Sequence, residues 1–218
     1  GYLQFKDERY LAAAERVAIH AKTVKRSWNF NYNMFLIWAD SRYATVSGNF
    51  QHLRPILNRQ KLLFTIDHQR SWGGWDGHNS KIGYHCINLR AMAALYEALP
   101  KDEKYDALRL KLRRGVIGGL NRMIVEQRPG GGFPFEHGRP ETTRHNSGVM
   151  PALILVHEAM GIDTTPLTDA YMTYIGTPEA GKYWWLPDNA KWLMFSLLHA
   201  EGMYLEWAQA SRGGAVRP

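Results

Sequence analysis

Residues 7–25 read DERYLAAAERVAIHAKTVK, with Leu11, Ala14, Val17, Ala18 and Ala21 on one helical face and charges opposite. That spacing predicts an amphipathic helix. Residues 106–127 continue the pattern with Leu108, Leu112, Ile117, Leu120 and Ile124. Gly115, Gly118 and Gly119 weaken this second helix in isolation and permit close approach of a neighbour. Two further stretches, CINLRAMAALYEAL (86–99) and SGVMPALILVHEAMG (147–161), are apolar nearly all round, as buried helices are. Pro151 falls near a helix start, where proline is tolerated. No segment sustains the alternation of a half-buried strand, so extended pairs are expected only at glycine-rich turns. The pattern predicts an all-α chain in which amphipathic outer helices alternate with apolar inner ones.

The turns between these helices repeat. QRSWGGWDGH begins at Gln69 and QRPGGGFPFEHG at Gln127, 58 residues on. The same shift pairs Leu62 with Leu120, Ile66 with Ile124, Trp75 with Phe133, Asn88 with Asn146 and Met92 with Met150. Matches on both sides of the turn mark a repeat unit. Looser copies flank the pair: Trp28 followed by Asn33, and Trp184-Trp185 followed by Asn189. Four units therefore share one order: helix, aromatic turn, Asn, apolar helix. The glycines suit positive-φ turns. Trp75 and Phe133 suit plugs between hairpins. Asn33, Asn88, Asn146 and Asn189 suit helix N-caps.

A helix ending in Gln, then GGW or GGF, then an apolar helix resembles the repeat of the α/α toroids. That group includes terpenoid cyclases, protein prenyltransferase β chains, and several polysaccharide lyases and glycoside hydrolases. Residues 106–161 look most like the corresponding hairpin of toroidal pectate lyases. The resemblance covers about residues 50–161 well and the rest loosely. It implies an α/α toroid, or partial toroid, of about four helical hairpins, with residues 1–218 as one domain. A ring of six hairpins needs on the order of 300 residues at this repeat length. The ring is therefore expected to be incomplete, or the chain part of a larger protein. The start at Gly1 rather than Met leads to the same expectation. A missing domain or partner chain is then expected to cover the terminal hairpins. The acid motifs of the cyclases, the zinc ligands of the prenyltransferases and the thioester motif of complement-like toroids are all absent from the sequence.

In such a toroid the turns sit at the mouth of the central cavity, where helix N-termini favour anions. The chain loads this level with Asp76, His78, Asn79, Tyr84, His85 and Asn88 in one unit. The next unit supplies Glu136, His137, Arg139, Arg144, His145 and Asn146. The resemblance to lyases implies proton abstraction α to a uronate carboxylate, which needs a base and a group to stabilise the enolate. His85 or His145 suits the base, Tyr84 the donor to the leaving oxygen, and Arg144 and Asn146 the carboxylate. Asn88, His78, His137 and Arg139 would complete the polar lining, with Trp75, Trp184 and Trp185 as stacking surfaces. Asp76 and Glu136 alternatively form the acid pair of a glycoside hydrolase. The four histidines of this level match no compact metal motif, so no ligand set is assigned and calcium or zinc stays open. A terpenoid-cyclase-like protein and a non-catalytic repeat module of a larger assembly are the other readings.

Composition narrows the partners. Hydrophobic residues make up 45% of 218, and no apolar run is long enough to span a membrane. Lysine and arginine exceed the acids by seven, which favours an acidic polysaccharide. The basic residues are dispersed and no nucleic-acid signature appears, so no nucleic-acid partner is expected. Cys86, the single cysteine, excludes an internal disulfide and a multi-cysteine metal site. An acidic-glycan role favours a secreted or periplasmic setting, with the cytoplasm as the alternative.

Overall fold

The computed structural model describes residues 7–25, 27–53, 57, 65–139 and 148–181. Within them the chain is helical apart from its turns and loops, with isolated bridge pairing of Lys81 and Glu136. Helix α1 runs Glu8–Thr23, with the Asp7 carboxylate accepting the Arg9 N–H as its N-cap. Helix α2 runs Phe30–Ser47 and stops at Gly48. Helix α3 spans Ile82–Ala98 and α4 spans Asp106–Glu126. Helix α5 spans Val149–Met160, α6 spans Thr165–Ile175 with Pro166 in its first turn, and a short α7 covers Pro178–Gly181. Single 3-10 turns occupy Phe50–Leu53, Gly77–Ser80 and Glu103–Tyr105.

Helix α3 lies between α2 and α5 and is buried almost all round, as its apolar sequence requires. The outer helices pack behind: α1 on α2, α4 on α3, α6 on α5. The inner helices begin at one end. The Asn31 N–H, in the first turn of α2, donates to Asn79 Oδ1 just ahead of α3 at 3.1 Å. Gly148, at the start of α5, lies against Gly83 and Cys86 in the first turns of α3. One core joins the layers, from Met34 and Ile37 through Leu89 and Met92 to Leu153 and Tyr171.

Three expectations change. Helix α4 buries Leu112, Gly115, Val116, Gly119, Leu120 and Met123, whereas Ile117 and Ile124 are 40% and 58% exposed. The packed face is the glycine face. A methyl on Gly119 would stand 2.5 Å from Leu89 Cδ2, so α4 sits too close to α3 for a side chain there unless Leu89 shifts. In α1, Ala18 and Ala21 are buried, but Val17 is 57% exposed. Neither Asn33 nor Asn88 is an N-cap. Asn29 and Lys81 occupy those positions in α2 and α3. Asn33 instead brackets Ser27, accepting its N–H and donating to its carbonyl, both at 2.8 Å. Asn88 lies in the second turn of α3, fully buried, with neither amide atom hydrogen-bonded. Asn146 and Asn189 lie outside the described residues. Among the described residues no helix is long and apolar enough to cross a membrane.

Candidate functional site

The two glycine-rich turns have the same construction. Gln69 Nε2 donates to Gly73 O at 2.6 Å and to Gly115 O of α4 at 2.8 Å. Gln127 Nε2 donates to Gly131 O at 3.0 Å and to Leu167 O of α6 at 3.1 Å. Each glutamine thus closes its own turn and clips it to the next outer helix. The Arg70 N–H to Gly74 O and Arg128 N–H to Gly132 O bonds, at 2.8 and 2.9 Å, complete equivalent loops. Gly73 and Gly131, at φ 92° and 84°, press on the backbone of Gly118 and Ala170. Trp75 and Phe133 fill the space beneath. Trp75 is fully buried with its indole N–H on Thr65 O at 2.8 Å, and Phe133 packs on Tyr171. The structure therefore gives Trp75 the role of plug and leaves it no surface to offer a substrate.

The second turn also docks on the segment entering α3. Ile82 N–H donates to Phe135 O, and His137 N–H to Ser80 O, each at 3.0 Å. This pairing builds a rim from two sequence units. On it the His78 and Tyr84 rings lie 4.4 Å apart, and Lys81 Nζ stands 5.6 Å from the Tyr84 ring and 5.4 Å from the Phe135 ring. Ser80 Oγ donates to Glu136 Oε1 at 2.6 Å, and Arg139 Nε lies 3.6 Å from Glu136 Oε2. The Ser80 hydroxyl, with help from Arg139 and Lys81, holds the Glu136 carboxyl below its ordinary range. Asp76 is exposed and paired with Arg70. Asn79 is turned inward to α2. Exposed Trp28 and Tyr32 belong to the same end of the inner layer, where α2 begins.

Beneath the rim lies a buried polar chain. His85 Nε2 is 3.2 Å from Gly119 O of α4, and His85 Nδ1 is 3.1 Å from His137 Nε2. His137 Nδ1 is 3.6 Å from Glu126 Oε1, which accepts the Gly138 N–H at 3.0 Å and pairs with Arg122. Trp75 and Trp72 set their rings edge-on to His85 and His137, at 5.2 and 5.3 Å. Burial, with the neighbouring ring and Arg122, pushes His85 down to about 3. Burial and then Arg122 push His137 down to about 4, against a smaller pull from Glu136. Both rings are neutral at pH 7. Cys86 is buried and its thiol is pushed up to about 12, so it is no nucleophile.

The structure thus gathers His78, Tyr84, Glu136 and Arg139 on one partly exposed rim, with Asp76 beside it. It places His85 and Asn88 in the interior, and His137 between the two. Arg144, His145, Asn146, Trp184 and Trp185 lie outside the described residues. Sequence reasoning missed Ser80, Lys81 and Phe135, whose roles come from pairing between units, and Glu126 and Arg122, which precede the second turn by only a few residues. Among the described residues no group of three or more His, Cys, Asp or Glu could hold a metal. A cleft of about 660 Å³ between the first turn and α4, and one of about 290 Å³ between α4 and α6, lie away from the rim. In comparisons with known proteins, no family model, no curated protein and no solved structure matches the chain.

Proposed function

We propose that the chain is a partial α/α toroid whose rim takes an acidic glycan, with lyase-type chemistry as the reaction. The alternation of outer and inner helices, and the common end of the inner ones, support the toroid reading. One observation carries the function: Lys81, Arg139, His78, Tyr84, Phe135 and Glu136 share one rim built from two repeat units, with His78 and Arg139 exposed and the others partly so. Aromatic rings offer faces to a sugar, and the two cations offer partners to its carboxylate. In the elimination, a base takes the proton α to the uronate carboxylate, its electron pair forms the ring double bond, and the glycosidic oxygen leaves with a proton. Of the described histidine and tyrosine candidates, His78 and Tyr84 reach the surface, while His85 is buried. Lys81 and Arg139 would offset the developing enolate charge.

The test incubates the protein with polygalacturonate, alginate and heparin-like chains, with and without calcium, following ultraviolet absorbance of the unsaturated product. Absorbance should rise with an acidic chain and be lost in His78→Ala and Tyr84→Phe. No rise at any pH, with no binding, rejects the reading. A non-catalytic module of a larger assembly is the second reading, favoured by the exposed Ile117, Ile124 and Val125 of α4. Glycan binding without cleavage would select it.

A further inference from the structure

We infer that the chain Gly119 carbonyl–His85–His137–Glu126 is an acid-sensitive latch, which holds the second turn and its Glu136 on the rim while His137 is neutral and releases them when the ring takes up a proton. The inference begins from counting protons. Three gaps must be bridged: Gly119 O to His85 Nε2 at 3.2 Å, His85 Nδ1 to His137 Nε2 at 3.1 Å, and His137 Nδ1 to Glu126 Oε1 at 3.6 Å. Both ends of the chain are acceptors, a carbonyl and a carboxylate, so each gap needs one proton. Two neutral imidazoles bring two. The carbonyl claims the His85 Nε2 proton. His85 Nδ1 is then an acceptor and claims the His137 Nε2 proton. His137 Nδ1 is left as a bare lone pair facing a carboxylate, and this gap is the longest of the three. A third proton would fill it and make His137 an imidazolium.

The closed joint resists that proton. The His137 side chain is 3% exposed and Glu126 10%. Glu126 is already engaged by Arg122 and the Gly138 N–H. Glu126 Oε1, 3.6 Å from Nδ1, attracts a cation there, but Arg122 on α4, stacked on Trp72, already offsets that carboxylate and repels a second cation, and Glu136 on the turn attracts it more weakly. From α3, His85 presents only its own lone pair. The opened turn puts His137 in water, with an ordinary pKa near 6.5 against about 4 when closed. The opened form binds more protons between those values. The latch is therefore fully closed above about pH 6.5 and loosens as pH falls toward 4. The backbone bonds that loosen with it, Ile82 N–H to Phe135 O and His137 N–H to Ser80 O, are those that build the rim.

The test is amide hydrogen exchange on the full chain without glycan, comparing the Ile82 amide with the Leu99 amide, which caps the far end of α3 on Leu95 O, at each pH. The ratio of their protection factors should fall by more than tenfold between pH 6.5 and 4.5. It should stay flat in His137→Gln, whose amide N–H still reaches His85 Nδ1 but takes no proton. A flat ratio in the wild-type chain, or an equal fall in His137→Gln, overturns the latch. Should the variant fail to fold, nitrogen-15 shifts of the wild-type His137 ring decide: one N–H, on Nε2, at pH 7 is expected, and a doubly protonated ring refutes it. Acid release of a glycan rests on the proposed function above, whereas the exchange ratio does not. A normal pH response without glycan binding would reject that function and leave the latch standing.

Discussion

Replacing Gly131 with alanine tests whether the turns are held on the outer helices as described. Gly131 has φ 84°, and a Cβ there would stand 1.8 Å from the Ala170 carbonyl oxygen and 2.5 Å from its carbon. Both atoms are backbone of α6, which no rotamer change can move aside. The dihedral alone costs about 1–2 kcal/mol for an L-residue. Clearing the carbonyl means lifting the turn by roughly 1.5 Å to ordinary van der Waals separation. That lift breaks the Gln127–Leu167 hydrogen bond and loosens Phe133 from Tyr171, together about 2–3 kcal/mol. The total for Gly131→Ala is about 3–5 kcal/mol. Gly138 isolates the dihedral, since it has φ 72° with open space around it, and Gly138→Ala should cost only about 1–2 kcal/mol. Gly130 has neither a positive φ nor a neighbour within 4 Å, so Gly130→Ala should be near neutral. Urea denaturation followed by circular dichroism should rank them in that order, with Gly131→Ala lowering Tm by roughly 10 °C. A Gly131→Ala chain no less stable than Gly138→Ala would refute the docking.

Gln127→Leu removes both clips of the second turn and strands two carbonyls, so it should cost about 2–4 kcal/mol in the same assay, and Gln69→Leu should match it if the turns are equivalent. Ser80→Ala removes the main cause of the lowered Glu136 pKa, so carboxyl titration by NMR should move Glu136 upward; an unmoved Glu136 would show that Arg139 and Lys81 set it. With Ser80 in place, the pairing of Glu136 contributes above its ordinary pKa and fades as pH falls through the lowered value.

The turn grammar was the most legible part of the chain. Gln, paired glycines and an aromatic each have one task in the structure, and the same task in both copies, so their spacing survives as a repeat. Helix periods located the inner helices but misplaced the packed face of α4. Periodicity weighs apolar side chains, whereas close packing onto Leu89 and His85 selects positions with none. The rim was half legible. His78, Tyr84, Glu136 and Arg139 stand out as polar residues beside the turns. Ser80, Lys81 and Phe135 acquire their roles only when the second turn pairs with the entrance to α3, a contact between residues more than 50 apart in the chain. His85 stood out as one of the polar groups between the first turn and the apolar helix. That alone does not separate a residue facing a ligand from one satisfied inside, and here Gly119 and His137 satisfy it.

The most direct test of the rim is a titration of the labelled protein with matched acidic and neutral oligosaccharides, read residue by residue in amide NMR spectra. The account predicts shifts confined to His78, Lys81, Tyr84, Phe135, Glu136 and Arg139 with the acidic sugar, and far weaker shifts with the neutral one. Shifts spread instead along the basic outer helix at Arg109, Lys111, Arg113 and Arg114, with the rim unmoved, would reduce the interaction to unspecific charge and contradict it.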